Sequence, residues 1–259
     1  MDTSTDPPPG LRPAAAVLRI LREGEAEVRG LFRLGSNATF LCELKSETDS
    51  LQAVYKPVRG ERPLWDFPAG TLAKREAAAY ELACLLGWDF VPPTVFRDDG
   101  PLGPGSFQEF MELDLGQNYF LLRDQDPDAM RRVAAFDVLI NNADRKATHV
   151  VRDNSGRIWL IDHGVCFHRE WKLRTVIWDF AGEPLPEDVR RVLDNFTNSK
   201  PGVHHSQTSD FPKRLQDALA MFVSPDEIRA VQSRAGALRK AGKFPLPGPG
   251  VSVPWPFWA

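Results

Sequence analysis

Cysteine is scarce: Cys42, Cys84 and Cys166 are the three among 259 residues. They are odd in number, far apart and without the paired spacing of a zinc site, which excludes a disulfide framework and makes a reducing cytoplasm the expected home. An excess of positive charge is also missing. The formal net charge is −3 and the isoelectric point lies near 6.0, so the chain as a whole carries no footprint for nucleic acid or an anionic membrane surface. No uninterrupted apolar run approaches the ~18 residues of a spanning helix. The first residues, Met1 to Gly10, are acidic and proline-rich, where a signal peptide would be basic and then apolar. The expectation is a protein neither secreted nor membrane-embedded.

What is present fits a globular α+β chain. Hydrophobic residues make up 42% and charged residues 26%, and the length suits one large domain or two small lobes sharing a cleft. Residues 1–12 read as a disordered leader. A helix is expected over 13–23, with Val17, Leu18 and Leu21 on one face, followed by strands over 26–33, 39–45 and 51–57. The alanine-rich stretch 74–87 ends on a glycine and predicts a helix; strands over 94–97 and 106–113 flank a Gly/Pro-rich turn. The second half predicts a helix over 128–141, a hairpin turning at 152–157, a polar loop over 197–212, and a capped helix from Ser224 to about Ala241. Prolines interrupt 245–259 throughout, which excludes regular helix there. This pattern divides the chain into a sheet-rich N-lobe (13–114), a mainly helical C-lobe (115–244) and a Pro/aromatic tail (245–259).

The chemistry concentrates between Phe136 and Phe167. Asp144 follows a helix and Asp162 follows a strand, on either side of a short hairpin; kinase-like folds place a catalytic carboxylate opposite a metal-binding one in this way. Asp162, between Ile161 and His163-Gly164, is expected at an exposed strand end where it could take Mg²⁺. Arg145 and Lys146 stand ready to bind a substrate anion or to stabilise the loop, and Arg145 is counted with Asp144 and Lys56 as catalytic. Lys56 ends the third strand, where a phosphate-binding lysine belongs, although a solvated edge-strand lysine would look the same. Glu76, early in the next helix, could reach Lys56, or be an acid in a helical first turn. The turn 34–38, with Ser36 and Asn37, could bring backbone amides to a phosphate or be a plain hairpin loop.

Several blocks in order carry a resemblance: Val54-Tyr55-Lys56-Pro57, Glu76 to Tyr80, Val91-Pro92, Gly105 to Gln108, Asn142 to Arg145, and Ile161 to Gly164. Over about residues 30–170 the chain resembles the phosphatidylinositol 3/4-kinase superfamily. It is most similar to type II phosphatidylinositol 4-kinases and to an uncharacterised actinobacterial kinase-like group, and it shares its broader layout with HipA-like kinases. The resemblance implies a two-lobed kinase-like fold that binds ATP with Mg²⁺ or Mn²⁺. In it Lys56 would contact the phosphates, Glu76 would orient Lys56, and Phe107 to Met111 would form the adenine hinge through Gln108, Glu109, Phe110 and Met111. Asp144 would be the catalytic aspartate and Asp162 the metal ligand.

His149 stands where such kinases carry a metal-binding asparagine. Imidazole suits softer ions than Mg²⁺, so His149 would favour Mn²⁺, bind no metal, or mark lost catalysis. The implied activity is transfer of the γ-phosphoryl group to a hydroxyl of an inositol lipid or related polyol. A protein kinase or nucleotidylyl transferase, and a weakly catalytic nucleotide-binding regulatory module, are the alternatives. Trp171, Trp178 and Phe180 are expected to shape the acceptor pocket. The tail aromatics Trp255, Phe257 and Trp258 would either dip into a bilayer interface or clamp back onto the second lobe.

Overall fold

The computed structural model describes residues 13–32, 37–196 and 210–258. The leader 1–12, Arg33 at the expected end of the first strand, the turn residues Leu34, Gly35 and Ser36, the loop residues 197–209 with His204 and His205, and Ala259 lie outside the described residues.

Helix α1 (Ala14–Glu23) lies on an antiparallel sheet of order β1-β2-β3-β5-β4, formed by Glu25–Phe32, Thr39–Lys45, Ser50–Pro57, Gly105–Glu109 and Thr94–Arg97. The period of two along β2 and β3 sends Cys42, Leu44, Ala53 and Tyr55 into one face, where Val17, Ile20 and Leu21 of α1 and Phe107 of β5 close a small core. Tyr55 stacks on Phe107 at 4.4 Å between ring centres. Lys56, the next residue, therefore points to the opposite face of the sheet, toward the helices.

Helix α2 (Leu72–Leu86) is buried almost all round, which three consecutive alanines permit, and it ends on Gly87 at φ +70. Its apolar side joins the larger core with the helices that follow. Its first turns are bolted down by Arg75, buried, which donates to Glu227 Oε1 and to the Cys166 carbonyl, both at 2.6 Å.

A second sheet, β6-β7-β8, is built from Leu113–Asn118, Val150–Asp153 and Ile158–Leu160. On it packs α3 (Tyr119–Gln125), and beyond lie α4 (Pro127–Ile140), α5 (Glu187–Asn195), α6 (Phe211–Leu219) and α7 (Pro225–Ala241), with α7 packed against α4, α5 and α6, and α6 against α2. Ser224 and Glu227 form the expected capping box of α7.

Three elements differ from the sequence reading. The strand expected over 106–113 ends at Glu109, and Leu113 opens β6 in the other sheet instead. The short helices α3 and α5 had no expectation. Helix α6 begins inside the segment read as a loop: Pro212 sits in its first turn, a place proline favours, and Phe211 is buried against Phe196 at 4.6 Å. Among the described residues, no helix is long and apolar enough to cross a membrane.

Candidate active site

The site forms where β3, α2, the loop after α4 and the strand end after β8 meet. Lys56 Nζ bonds Glu76 Oε1 and lies 3.0 Å from Asp162 Oδ1. Residues more than a hundred positions apart thus meet on one ammonium. Burial works against the charge on Lys56, but Asp162 and Glu76 outweigh it and hold its pKa above the ordinary value. The Lys56 ammonium beside Asp162 holds that carboxyl well below the usual range. Burial pushes Glu76 up, with Lys56 opposing.

Asp162 sits at φ +61, in the left-handed region that costs a non-glycine residue energy. Its neighbours hold it there: the Ile161 amide donates to the His149 carbonyl at 3.1 Å and the His163 amide donates to Glu76 Oε2 at 2.8 Å. The Asp162 side chain is 46% exposed, so one edge of the carboxylate faces the cleft.

The loop carrying Asp144 is tied from below. Asn141 caps α4 at φ +53 and donates to the carbonyls of His168 and Glu170. Asn142 Oδ1 accepts from the Asp144 amide at 2.9 Å, and its amide donates to Asp137. Asp144 keeps a partly exposed carboxylate, with Lys146 Nζ 3.4 Å from Oδ2. Burial raises its pKa, Lys146 lowers it, and Asp162 adds to the rise.

Arg145 requires a correction. Expected to be catalytic, it is fully buried beneath the loop. Its Nε and Nη2 grip Asp137 at 3.0–3.1 Å, its Nη1 donates to the carbonyls of His149 and Ile161, and its Nη2 reaches His163 Nε2 at 3.0 Å. A guanidinium with its donors engaged in this way serves to hold the loop, the second of the two parts the sequence left open. Asp137 went unremarked in the sequence; an acid amid Ala134-Ala135-Phe136 and Val138-Leu139-Ile140 was the available signal, because a charge in an apolar helix must be paired.

His149 is brought to the site, with Nε2 3.4 Å from Asp162 Oδ2. Burial lowers its pKa to about 4, so the ring is neutral. Its Nδ1 accepts from the Lys146 amide, which leaves the proton on Nε2, facing Asp162. Placed so, His149 turns its Nε2 toward Asp162; to bind a cation it would first have to give up the Lys146 bond. Among the described residues, no group of three or more His, Cys, Asp or Glu side chains could hold a metal by itself. A single exposed carboxylate still suits Mg²⁺, which takes one or two carboxylates and fills its shell with phosphate oxygens and water.

The hinge residues divide. Gln108 is buried and donates to Thr94 Oγ1 at 2.9 Å, and the amides of Glu109 and Phe110 donate to the carbonyls of Pro93 and Gln52. The Phe110 ring stacks on Phe32 with 6.4 Å between centres, an aromatic wall that the sequence did not disclose. Met111, half-buried, begins the connection to β6. Asn37 Oδ1 accepts from the Arg62 amide at 2.7 Å, so this side chain holds the chain after β3. Ser36 lies outside the described residues. Of the aromatics expected at the acceptor, Phe180 is instead buried in the core against Phe244, Trp178 is half-buried, and Trp171 is exposed.

With this geometry in place, similarity to known proteins can be read. Protein Rv2133c of Mycobacterium tuberculosis is 37% identical over 272 residues, spanning 92% of this chain and 94% of its own length. The chain belongs to the Rv2133c family. No family model matches it. Among solved structures, hydra Fam20 with sugar aligns at a TM-score of 0.54 and 16% identity, over 88% of this chain and 87% of its own. The Helicobacter pylori proinflammatory kinase CtkA aligns at 0.51 and 12% identity, over 86% and 94%. Both share the architecture of a sheet-rich first part and a helical second, so the Rv2133c-family chain has a kinase-like α+β fold. In this family member Lys56 of the first sheet meets Glu76 of α2 and Asp162 after β8.

Proposed function

We propose that this protein is an ATP-dependent phosphotransferase. One observation carries the reading: Lys56 bridges a buried Glu76 and a partly exposed Asp162, with Asp144 on the adjoining loop. Residues 13–114 would serve as the nucleotide-binding lobe and 115–244 as the catalytic lobe. Lys56, fixed by Glu76, would donate to phosphate oxygens. Asp162 would hold a divalent cation, which when bound neutralises phosphate charge. Asp144 would accept the acceptor hydroxyl's proton as the new O–P bond forms and the bond to the β-phosphate oxygen breaks, leaving ADP. Lys146, beside Asp144, would add positive charge where the transferred group passes.

An inositol lipid or related polyol is the acceptor class proposed. The resemblance to inositol-lipid kinases supports it, and the Fam20 neighbour was solved with sugar. The tail adds a second support. Its backbone clamps onto the second half: the Ala147 amide donates to the Phe257 carbonyl, and Thr175 and Trp178 both donate to the Ser252 carbonyl, each at 3.0 Å. Its side chains face outward, with Trp255 78% and Trp258 53% exposed, and from Phe244 to Trp258 no residue is charged. Both sequence expectations for the tail are thereby compatible, a backbone clamp with aromatics free for an interface. Replacing Trp255 and Trp258 together by alanine is expected to reduce phosphorylation of inositol lipid in vesicles about tenfold, the equivalent of ~1.4 kcal/mol of interfacial binding, and to leave turnover of soluble inositol unchanged.

The deciding experiment follows ATP consumption with Mg²⁺ or Mn²⁺ against inositol lipid, inositol and a protein acceptor, with product mass distinguishing one added phosphoryl group from an added nucleotide. Nucleotide addition would make the protein a nucleotidylyl transferase. Its pH profile has a definite sign. Asp144 works ionised, and burial raises its pKa, so the acid limb of kcat/KM should lie above the ordinary aspartate value of about 3.9. Lys146 lowers that pKa, so Lys146→Met should move the limb to higher pH. A limb that stays in place would show that another group is titrating.

A further inference from the structure

His163 follows Asp162 and is fully buried. Its two ring nitrogens are settled by their neighbours. Nε2 lies 3.0 Å from Arg145 Nη2, and because a guanidinium can only donate, Nε2 is the acceptor. An accepting Nε2 carries no proton, so the ring's single proton sits on Nδ1. That Nδ1 has no hydrogen-bond partner. Leaving a buried N–H unpaired is costly, and such a group in a folded protein calls for a reason. An acceptor of opposite character, Glu76 Oε2, lies 4.0 Å away, an oxygen already held by the backbone amide of the same histidine.

We propose that His163 is a positioning residue whose Nδ1–H closes onto Glu76 when nucleotide binds, locking α2 to the Asp144 loop through Arg145. The inference rests on the phosphotransferase reading. In this structure Lys56 is shared between Glu76 and Asp162. A phosphate entering the cleft would share Lys56 with Glu76 and draw on the ammonium's charge, so Glu76, buried at 3% exposure, would be steadied by a second side-chain donor. Nδ1–H is that donor, and it requires an approach of about 1 Å to reach ordinary hydrogen-bond length. Helix α2 need not swing to supply it. Arg75 pins the start of the helix to Cys166 and Glu227, so the adjustment falls on the Glu76 and His163 side chains. The completed chain would run Asp137–Arg145–His163–Glu76–Lys56, joining the base of the Asp144 loop to the phosphate-binding lysine.

Two substitutions separate the two bonds of the ring. In His163→Gln the side-chain oxygen can still accept from Arg145, but no donor faces Glu76. In His163→Asn an amide N–H can stand near the Nδ1 position, but the Arg145 bond is lost. The expected result is crossed. His163→Gln keeps the melting temperature and the KM for ATP while kcat falls about tenfold, the effect of one charge-assisted hydrogen bond; His163→Asn loses melting temperature and keeps more of kcat. A merely structural histidine would lose both properties together in both variants.

A second readout does not depend on turnover. In ¹⁵N-histidine-labelled protein, the Nδ1–H proton of His163 should move downfield on adding Mg²⁺ with the β,γ-imido analogue of ATP, and this signal should be absent from His163→Gln. Nucleotide binding with no change at His163, together with a wild-type kcat in His163→Gln, would overturn the inference and leave the phosphotransferase reading standing. Failure of the wild-type protein to bind nucleotide at all would overturn both.

Discussion

Arg145→Met is expected to destabilise the protein by about 3–5 kcal/mol, because it strands the buried Asp137 carboxylate without its cation. For a chain of this size that corresponds to a fall in melting temperature on the order of 10 °C. The loss has three sources. Asp137 is 1% exposed and would be left in a low-dielectric core with only the Asn142 amide and the distant Thr175 hydroxyl as partners. The carbonyls of His149 and Ile161 lose a shared donor. His163 Nε2 becomes a second unpaired buried atom on a ring that already has one.

Replacing both partners, Asp137→Leu with Arg145→Met, should recover much of the stability, since apolar substitution of a complete buried pair is often neutral or better. It should not recover activity. The Arg145 side chain is what ties the Asp144 loop to the Ile161 carbonyl and the His163 ring on either side of Asp162, and a well-packed methionine leaves both loops without that register. Thermal melts of the single and double variants, set beside their turnover, test this. A double variant that is stable and fully active would reduce Arg145 to a packing element.

The contrast between Arg145 and its neighbours marks how far the sequence could be read. Lys56, Glu76, Asp144 and Asp162 could be singled out because their positions relative to elements carried the signal: a strand end, the early part of a helix, a loop after a helix, a strand end two residues before glycine. The structure joins Lys56, Glu76 and Asp162 directly and sets Asp144 close enough to feel the Asp162 charge. What was illegible was direction. Adjacent residues Asp144 and Arg145 share a loop but face opposite ways, and nothing in their order tells which side chain is turned under. The same limit applies to Asn37 and His149, which proved committed to backbone amides, and to Gln108, which donates to the Thr94 hydroxyl.

The fold was similarly uneven. Periodicity located α1, α2, α4, α7 and the first sheet to within a few residues, since each has a long regular face. Helices α3 and α5 are short, nine residues or fewer, and are stabilised by tertiary packing that no local window contains. The break between β5 and β6 depends on which sheet the chain joins, which is a non-local fact.

Asp144→Asn is expected to lower kcat by about 10²–10⁴-fold, the contribution of a positioned general base, with nucleotide affinity and melting temperature retained. The reasons lie in what the substitution leaves alone. The Asp144 backbone amide, not its side chain, makes the bond to Asn142 that shapes the loop. Lys56, Glu76 and Asp162, which would meet the nucleotide, have no hydrogen bond to the Asp144 carboxylate. Burial and the nearby Asp162 charge disfavour ionised Asp144, so a neutral amide of the same shape removes a repulsion and should leave the fold as stable or slightly more so.

Asp162→Ala should behave in the opposite sense. It removes the carboxylate proposed to hold the cation and one of the two partners of Lys56, so metal-dependent nucleotide binding itself should weaken. Turnover and binding measured side by side on the two variants separate a base from a metal ligand. If Asp144→Asn turns over at the wild-type rate, the acceptor proton is leaving by another route and the carboxylate has no part in transfer. If neither wild type nor variant turns over while both bind nucleotide equally, the cleft is that of a nucleotide-binding module, and the His149 imidazole in place of an oxygen ligand becomes the first residue to restore, as His149→Asn.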